Sequence, residues 1–115
     1  MRRGEIWWAN LAPRSGSEQA GVRPVLILSH DAYNEAPGWR SVMVAPLTTS
    51  LRQARRGPTA IPIAAGTAGL EHDSTVLCHQ ITTLDRSKLT QRFGMLADQD
   101  MERIEVGAKS ALGLR

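Results

Sequence analysis

Three polar residues in this sequence lie at the ends of two apolar runs, where side chains can carry chemistry. Arg23 precedes Pro24 at the start of an apolar run over residues 25–28, and Thr48 and Thr49 follow a second run over residues 42–47. A rigid sheet presents side chains to ligands where its strands end and loops begin. A guanidinium beside a hydroxyl suits a phosphate, because the planar fork of arginine binds two oxygens at once. By pattern alone, however, an arginine and a threonine at such positions are more often ordinary turn residues.

Other common chemistries find little support in the spacing. Cys78 and His79 are adjacent, and neighbours on a strand face opposite sides, while His72 and Asp73 have no second pair spaced for them. We therefore expect no metal site. Phosphate-binding glycine loops and a Gly-x-Ser-x-Gly elbow are missing from the sequence, and nothing in the spacing selects a pair of carboxylates.

Length and composition predict one globular domain spanning residues 1–115. The chain is 42% apolar and 22% charged, close to globular averages, and a chain of this size buries about two-thirds of its surface. We expect no membrane span, because no apolar run approaches the roughly 20 residues that a bilayer requires, and no secretory segment. The single Cys78 cannot form an internal disulfide, which favours the cytoplasm.

Basic charge is concentrated in one part of the chain. The net charge is only +3, but residues 1–60 carry eight Arg and four acids, whereas residues 61–115 carry six basic and seven acidic residues. No acid occurs between residues 36 and 70. Twelve of the fourteen basic residues are Arg, which is the better bidentate partner for phosphate. From composition alone, a solvated and slightly basic surface remains the simpler interpretation.

Most of the chain has the pattern of short strands separated by turns. A mobile loop is expected over residues 11–22, a connection with at most one helical turn over 30–40, and a basic loop over 51–58. Pro62 indicates an edge strand. Alternation over residues 74–81 predicts Val76, Cys78 and Gln80 on one face. The predicted strands cover residues 4–10, 25–28, 42–47, 59–63, 74–81 and 92–96.

One helix is predicted, at the end of the chain. Asp98 stands at the expected N-cap and Gly113 just beyond the expected C-terminus. Strands followed by a single helix favour a small twisted antiparallel sheet or half-barrel with the helix packed on it, a mainly β (α+β) fold. The apolar stripe of the helix comprises Met101, Ile104, Ala108, Ala111 and Leu112.

Five blocks of the sequence, in order, resemble the MazF/PemK family of toxin endoribonucleases. The loop block, GSEQAGVRPVLILS over residues 16–29, is the most diagnostic of them. The others read RGEIW at 3–7, VAPLTT at 44–49, GLEHDS at 69–74 and HQITTLD at 79–85. The resemblance spans almost the whole chain. It implies an SH3-like or CcdB-type barrel with a C-terminal helix, which agrees with the pattern of strands and helix.

The resemblance also implies a function. Members of the family are homodimers that cut single-stranded RNA at short sequences without a metal, and so inhibit translation, until a MazE-like antitoxin holds them inactive. It implies that Arg23 and Thr48 are the catalytic pair, with Thr49 as the alternative threonine. The residues implied to hold RNA are Ser17, Glu18, Gln19 and Gln80.

RNA carries an internal nucleophile, the 2′-OH, so Arg23 and Thr48 would mainly stabilise charge on the phosphate. The proton acceptor is left unassigned, because the pKa of arginine is too high for a general base and alternation points His79 away from Gln80.

Where this chain has Cys78-His79, some relatives carry an acid beside the glutamine, so no base preference is carried over from these positions. Arg52, Arg55 and Arg56 are expected to neutralise backbone phosphates. An aromatic content of 4% argues against recognition dominated by base stacking.

Two alternatives remain open on fold alone. A CcdB-like toxin uses the same barrel to bind DNA gyrase without cutting nucleic acid, and an inactive RNA-binding barrel would keep the fold without the reaction. The feature that separates a gyrase binder from a ribonuclease is Arg23 together with Thr48, whereas incubation with single-stranded RNA in EDTA separates the inactive barrel.

Overall fold

The computed structural model describes residues 1–12, 21–55 and 57–115. Ser17, Glu18, Gln19 and Arg56, which the sequence suggested as RNA-binding residues, lie outside the described residues. The elements are β1 (Glu5–Asn10), β2 (Val22–Ile27), α1 (Asp31–Asn34), β3 (Ser41–Thr48), α2 (Leu51–Ala54), β4 (Ala60–Ile63), β5 (Ser74–Leu77), β6 (Thr82–Asp85), β7 (Leu89–Met95) and α3 (Asp98–Leu112).

Seven strands form one antiparallel sheet in the order β4-β5-β3-β2-β1-β7, with β6 also paired to β3. The long strand β3 joins two parts of this sheet. Its beginning pairs with β6, its middle with β2, and Leu47 and Thr48 at its end pair with Val76 and Thr75 of β5. The sheet curves into an open barrel, and the expected mainly β fold with a C-terminal helix is confirmed.

Apolar side chains line both faces of the sheet, which explains why β2 reads as a continuous apolar run. Leu26 belongs to a core shared with Met101 and Ile104 of α3, whereas Val25 and Ile27 belong to a second core on the opposite face. We call the first the helix face and the second the barrel face. Period-two alternation therefore assigns every strand residue to one of these two faces.

Helix α3 approaches the sheet closely at Gly107. A Cβ atom there would lie 2.9 Å from Cγ1 of Ile61 and 3.0 Å from Sγ of Cys78, so only glycine fits this contact. Leu112, predicted in the apolar stripe, is 62% exposed, so that part of the prediction is wrong. Gly107 takes the buried position one helical turn after Ile104. It was not predicted in the apolar stripe, because glycine has no apolar side chain. Ala97, not Asp98, is the N-cap, while Gly113 ends the helix with φ 70° as predicted.

Three local predictions need correction. The strand predicted over residues 74–81 ends at Leu77, and Cys78–Gln80 form a 3-10 turn that packs against α3 and β3. The strand β6 was not predicted, because its short sequence TTLD has little apolar character and depends on pairing with β3. The predicted loop over 51–58 begins with α2, where the Ser50 hydroxyl accepts a bond from the amide of Gln53.

Two other expectations concern the sheet edge and the membrane. Pro62 lies in β4, which is the terminal strand in the pairing order, so the predicted edge position is confirmed. None of the helices in the described part of the chain combines the length and apolar character that a bilayer crossing requires.

Candidate active site

Extending the register of β2 and β3 beyond its last recorded pair places Arg23 and Thr48 opposite each other at one end of the sheet. The register of β2 and β3 pairs Ile27 with Val44 and Val25 with Pro46. Two more residues along the same register bring Arg23 opposite Thr48, beyond the point where Pro24 has no N–H to donate. Both residues fall on the barrel face by alternation. Thr49 follows the end of β3 and is exposed.

The Thr48 hydroxyl is fixed by a local hydrogen bond. Its Oγ1 accepts a bond from the amide of Ser50 at 3.1 Å, a short threonine turn at the strand end. The residue is only 6% exposed and pairs with Thr75 of β5. A hydroxyl that accepts from the backbone keeps its own hydrogen available, so the Thr48 hydroxyl can still donate to another acceptor.

A cavity of about 560 Å³ opens beside these strand ends. Residues 22–24 and 47–49 form one edge of it, and β1, β7 and the turn over residues 69–74 form the rest. Its apolar lining comprises Trp8, Val22, Pro24, Leu47, Leu70 and Phe93. Its polar lining comprises Arg23, Thr48, Thr49, Glu71, His72, Ser74, Gln91 and Arg92.

The other predicted RNA-binding residues that the structure describes lie away from this cavity. Arg52 is exposed on α2, and Arg55 is exposed just after it. Gln80 ends the 3-10 turn, half-buried, and His79 beside it is exposed. None of these four residues lines the cavity in the described part of the chain. The structure therefore brings Arg23, Thr48 and Thr49 to one cavity. Arg52, Arg55 and Gln80 do not line that cavity.

Sequence reasoning missed several side chains of the cavity. Trp8 and Gln91 face each other across the β1–β7 pair, and Phe93 packs on Trp8 with ring centroids 5.0 Å apart. His72 was considered as a metal ligand and, together with Glu71, as part of the GLEHDS block. No local signal identifies these residues, because the pairing of two strands more than eighty residues apart brings them together.

One ion pair supports the wall of the cavity from the barrel face. The carboxylate of Glu5 accepts a 2.6 Å bond from Nε of Arg92 and a 2.7 Å bond from the amide of Arg2. Burial acts to raise the pKa of Glu5, but the bonds from Arg92, the Arg2 amide and Trp7 outweigh it and hold the pKa below its ordinary value. Arg92 is thereby fixed to β1.

The remaining nucleophile and metal candidates are not part of a site. Burial raises the pKa of the Cys78 thiol to about 11, and the thiol donates to the carbonyl of Ile104, so Cys78 is an unreactive core residue. Across residues 1–12, 21–55 and 57–115, no three His, Cys, Asp or Glu side chains are grouped closely enough to hold a metal ion.

Fold and geometry together define a class: a small antiparallel barrel with a C-terminal helix and an arginine–threonine pair at its strand ends. A family model described as PemK-like, MazF-like toxin of type II toxin–antitoxin system matches residues 2–112. Endoribonuclease EndoA of Bacillus subtilis is 36% identical over 114 residues, covering 99% of this chain and 96% of that protein. Endoribonuclease MazF of Staphylococcus saprophyticus is 37% identical over 114 residues, covering 99% and 92%.

The fold has the same relatives. A solved structure of an endoribonuclease in complex with its cognate antitoxin, from a mycobacterial species, matches with a TM-score of 0.81 at 25% identity. That match covers 100% of this chain and 97% of the solved chain. The chain therefore belongs to the PemK-like, MazF-like toxin family, and the resemblance noted in the sequence is confirmed.

Proposed function

We propose that this protein is the toxin of a type II toxin–antitoxin system, an endoribonuclease that cuts single-stranded RNA at short sequences and so inhibits translation and growth. The observation that carries the proposal is the family match over residues 2–112, supported by two relatives named as endoribonucleases at 36% and 37% identity. Neither a CcdB-like gyrase binder nor an inactive barrel is favoured by these relatives.

Arg23 and Thr48 form the catalytic pair of the proposal. Their positions opposite each other on β2 and β3, and the hydrogen bond that the Thr48 hydroxyl accepts from Ser50, support this pair over one that contains Thr49. The guanidinium would hold two oxygens of the scissile phosphate, and the Thr48 hydroxyl would donate to another.

The reaction follows from the chemistry of RNA and requires no metal ion. The 2′-oxygen attacks phosphorus, the bond from phosphorus to the 5′-oxygen breaks, and a cyclic phosphate and a 5′-OH result. Arg23 and Thr48 stabilise the extra negative charge of the crowded phosphorane, which is the main contribution expected of preorganised donors. The proton of the 2′-OH leaves to an acceptor that we do not assign, and the 5′-oxygen takes one up.

Substrate binding extends beyond the catalytic pair. Arg52 and Arg55, exposed beside the end of β3, suit contacts with backbone phosphates. Gln80 is proposed to bind RNA through its amide. The same role is proposed for residues outside the described part of the chain: Ser17, Glu18, Gln19 and Arg56.

The proposal includes the assembly of the protein. We expect one domain over residues 1–115, acting in the cytoplasm as a homodimer and held inactive by a MazE-like antitoxin. Support comes from the solved mycobacterial relative, which was determined in complex with its cognate antitoxin. An acidic, partly disordered antitoxin segment would complement the excess of Arg in residues 1–60.

The proposal is tested by cleavage of mixed-sequence single-stranded RNA in EDTA. Fragments with 5′-OH ends are expected from the wild-type protein. Arg23→Ala and Thr48→Val should each lower the rate by about 100-fold or more, the usual cost of removing one preorganised donor. Thr49→Val tests the neighbouring hydroxyl, which also lines the cavity. Thr83→Val, at an exposed position of β6 that does not line the cavity, is the matched control and should cut within about threefold of wild type.

Three results would contradict the proposal. No cleavage by the folded wild-type protein removes the ribonuclease function altogether. Undiminished cleavage by Arg23→Ala removes the catalytic pair. Loss of activity in Thr49→Val with retention in Thr48→Val would move the catalytic hydroxyl by one position.

A further inference from the structure

The cavity beside the strand ends presents a consistent set of side chains from the helix face. Trp8 alternates with buried Ala9 of the barrel face, and Pro24 alternates with Val25. Leu47 belongs to the helix-face core, and Ser74 lies two residues from Val76 of that core. Four strands therefore direct side chains into the same volume, and Arg23 and Thr48, at the ends of two of these strands, line its edge.

The floor of the cavity is aromatic. The rings of Trp8 and Phe93 lie 5.0 Å apart between centroids and are tilted by 49°. Both residues are only half-buried, so the ring pair is reachable from the cavity. Pro24, Leu47 and Leu70 surround it. The face of one such ring, with apolar walls around it, can stack on a planar ligand, and stacking of a nucleobase on an aromatic ring is indifferent to the identity of the base.

The rim of the cavity is polar, with groups that bond to the edge of a planar ligand. The Gln91 amide both donates and accepts, the Glu71 carboxylate accepts, and His72 lies beside Ser74, whose hydroxyl donates to the His72 carbonyl. Arg92 also lines the cavity, and its guanidinium is paired with the Glu5 carboxylate. The rim thus offers a carboxylate and an amide for the edge of a base, while Arg23 at the cavity's edge suits the adjoining phosphate.

We infer that this cavity is a subsite for one nucleobase of the RNA substrate, adjacent to the scissile phosphate. The inference rests on the proposed function. Because Arg23 and Thr48 stand at the strand ends that form the cavity's edge, a chain whose phosphate lies at that pair can turn one neighbouring base into the cavity. Glu71 accepts hydrogen bonds only, when ionised, so the subsite favours a base with an exocyclic amine.

The first test is photochemical crosslinking to RNA that the protein cannot cut. After the cut site has been mapped, the nucleotide that supplies the attacking 2′-OH is replaced by its 2′-deoxy form, and bromopyrimidines are placed at the flanking positions. Irradiation of the wild-type protein should crosslink one flanking base to Trp8 or Phe93, as identified by mass spectrometry of the peptides. Crosslinks that map only to other residues would overturn the inference.

The second test measures affinity for the same uncleavable RNA. Trp8→Leu should weaken binding by roughly 5- to 150-fold, the range for loss of one base–aromatic stack. Trp39→Leu is the matched control, because Trp39 is 46% exposed and pairs with Tyr33 outside the cavity. This control should change affinity less than twofold. Gln91→Ala, an exposed substitution that leaves the aromatic pair intact, should relax the preference for one flanking base without loss of folding.

A third measurement uses RNA with an abasic nucleotide at the crosslinked position and compares its affinity for wild type and for Trp8→Leu. If one base occupies the cavity, removing that base should weaken binding to wild type but have little further effect on Trp8→Leu. Equal losses in both proteins would overturn the inference, as would a Trp8→Leu protein that loses only antitoxin binding or self-association. Failure of the proposed function looks different, because the wild-type protein would then produce no 5′-OH ends from any RNA.

Discussion

Glu5 is a charged side chain that the fold buries, and its partners explain how β1 is fixed. It is 7% exposed, and its two oxygens accept bonds from Nε of Arg92, the amide of Arg2 and Nε1 of Trp7. A buried carboxylate is tolerated only when such donors replace its water. The cluster links the start of the chain, β1 and β7, so a single side chain connects the strands that carry Trp8 and Phe93.

We predict that Glu5→Gln lowers the free energy of unfolding by roughly 1–3 kcal/mol at neutral pH, the range for bonds to a charged group. The folded pKa of Glu5 lies below its ordinary value of 4.5, so the carboxylate stabilises the fold above that value and loses its contribution as pH falls through the folded pKa. The difference between wild type and variant should therefore be constant above about pH 6 and shrink in acid. Urea unfolding at several pH values measures it.

Glu35→Gln provides the control for this prediction. Glu35 lies 3.9 Å from Arg2, and both side chains are more than half exposed, so the pair should contribute little. A difference between wild type and Glu5→Gln that stays constant down to pH 3 would show that Glu5 does not carry the acid dependence.

At the scale of elements, one wall of the cavity depends on a contact between backbones. The 3-10 turn Thr67–Gly69 packs on β7, where a Cβ at Gly94 would lie 2.6 Å from the carbonyl oxygen of Ala68. Gly69, with φ 80°, is equally close to the carbonyl oxygen of Phe93, at 2.8 Å. Only glycines permit this approach. The contact fixes the segment that begins at Leu70 and carries Glu71 and His72 to the rim.

Gly94→Ala should therefore destabilise the protein by about 1–3 kcal/mol, because a backbone carbonyl cannot move away as a flexible side chain can. It should also weaken binding of uncleavable RNA, since residues 70–72 must shift. Thr90→Ala, at an exposed position of the same strand, is the control and should change stability by less than about 1 kcal/mol. Thermal unfolding and RNA titration of both variants check the prediction. Unchanged stability in Gly94→Ala would mean that the turn is not held by this contact.

The elements that could be predicted from the sequence are those whose signal is local. β2 and β3 were predicted because apolar runs of this length are typical of buried strands, and α3 because its caps and periodicity agree. Cys78–Gln80 was wrongly assigned to a strand, because the alternation continues where the chain turns to pack under α3. The proposed catalytic pair, Arg23 and Thr48, was suggested by one motif block for each residue. The aromatic floor was not, because Trp8 and Phe93 meet only through the β1–β7 pairing.

At the scale of the whole molecule, ion pairs divide the basic residues into two groups. Arg2, Arg3, Arg40, Arg92 and Arg103 each lie within 4.0 Å of a carboxylate. In the part of the chain that the structure describes, Arg52 and Arg55 have no such partner, and both are exposed beside the end of β3. Arg52 and Arg55 therefore place positive charge without a carboxylate partner beside the strand end that carries Thr48, which the net charge of +3 does not show.

This localisation predicts how RNA binding depends on salt. Each phosphate contact with single-stranded RNA contributes about 0.7 to the slope of log affinity against log salt concentration, through release of bound counterions. Arg52→Gln and Arg55→Gln should each reduce that slope by about 0.7 for uncleavable RNA, with the same loss of affinity for every sequence, since phosphates carry no base identity. Lys109→Gln, at the far end of α3, is the control and should leave the slope unchanged. An unchanged slope in both arginine variants would place the phosphate contacts elsewhere and confine the RNA to the strand ends and the cavity beside them.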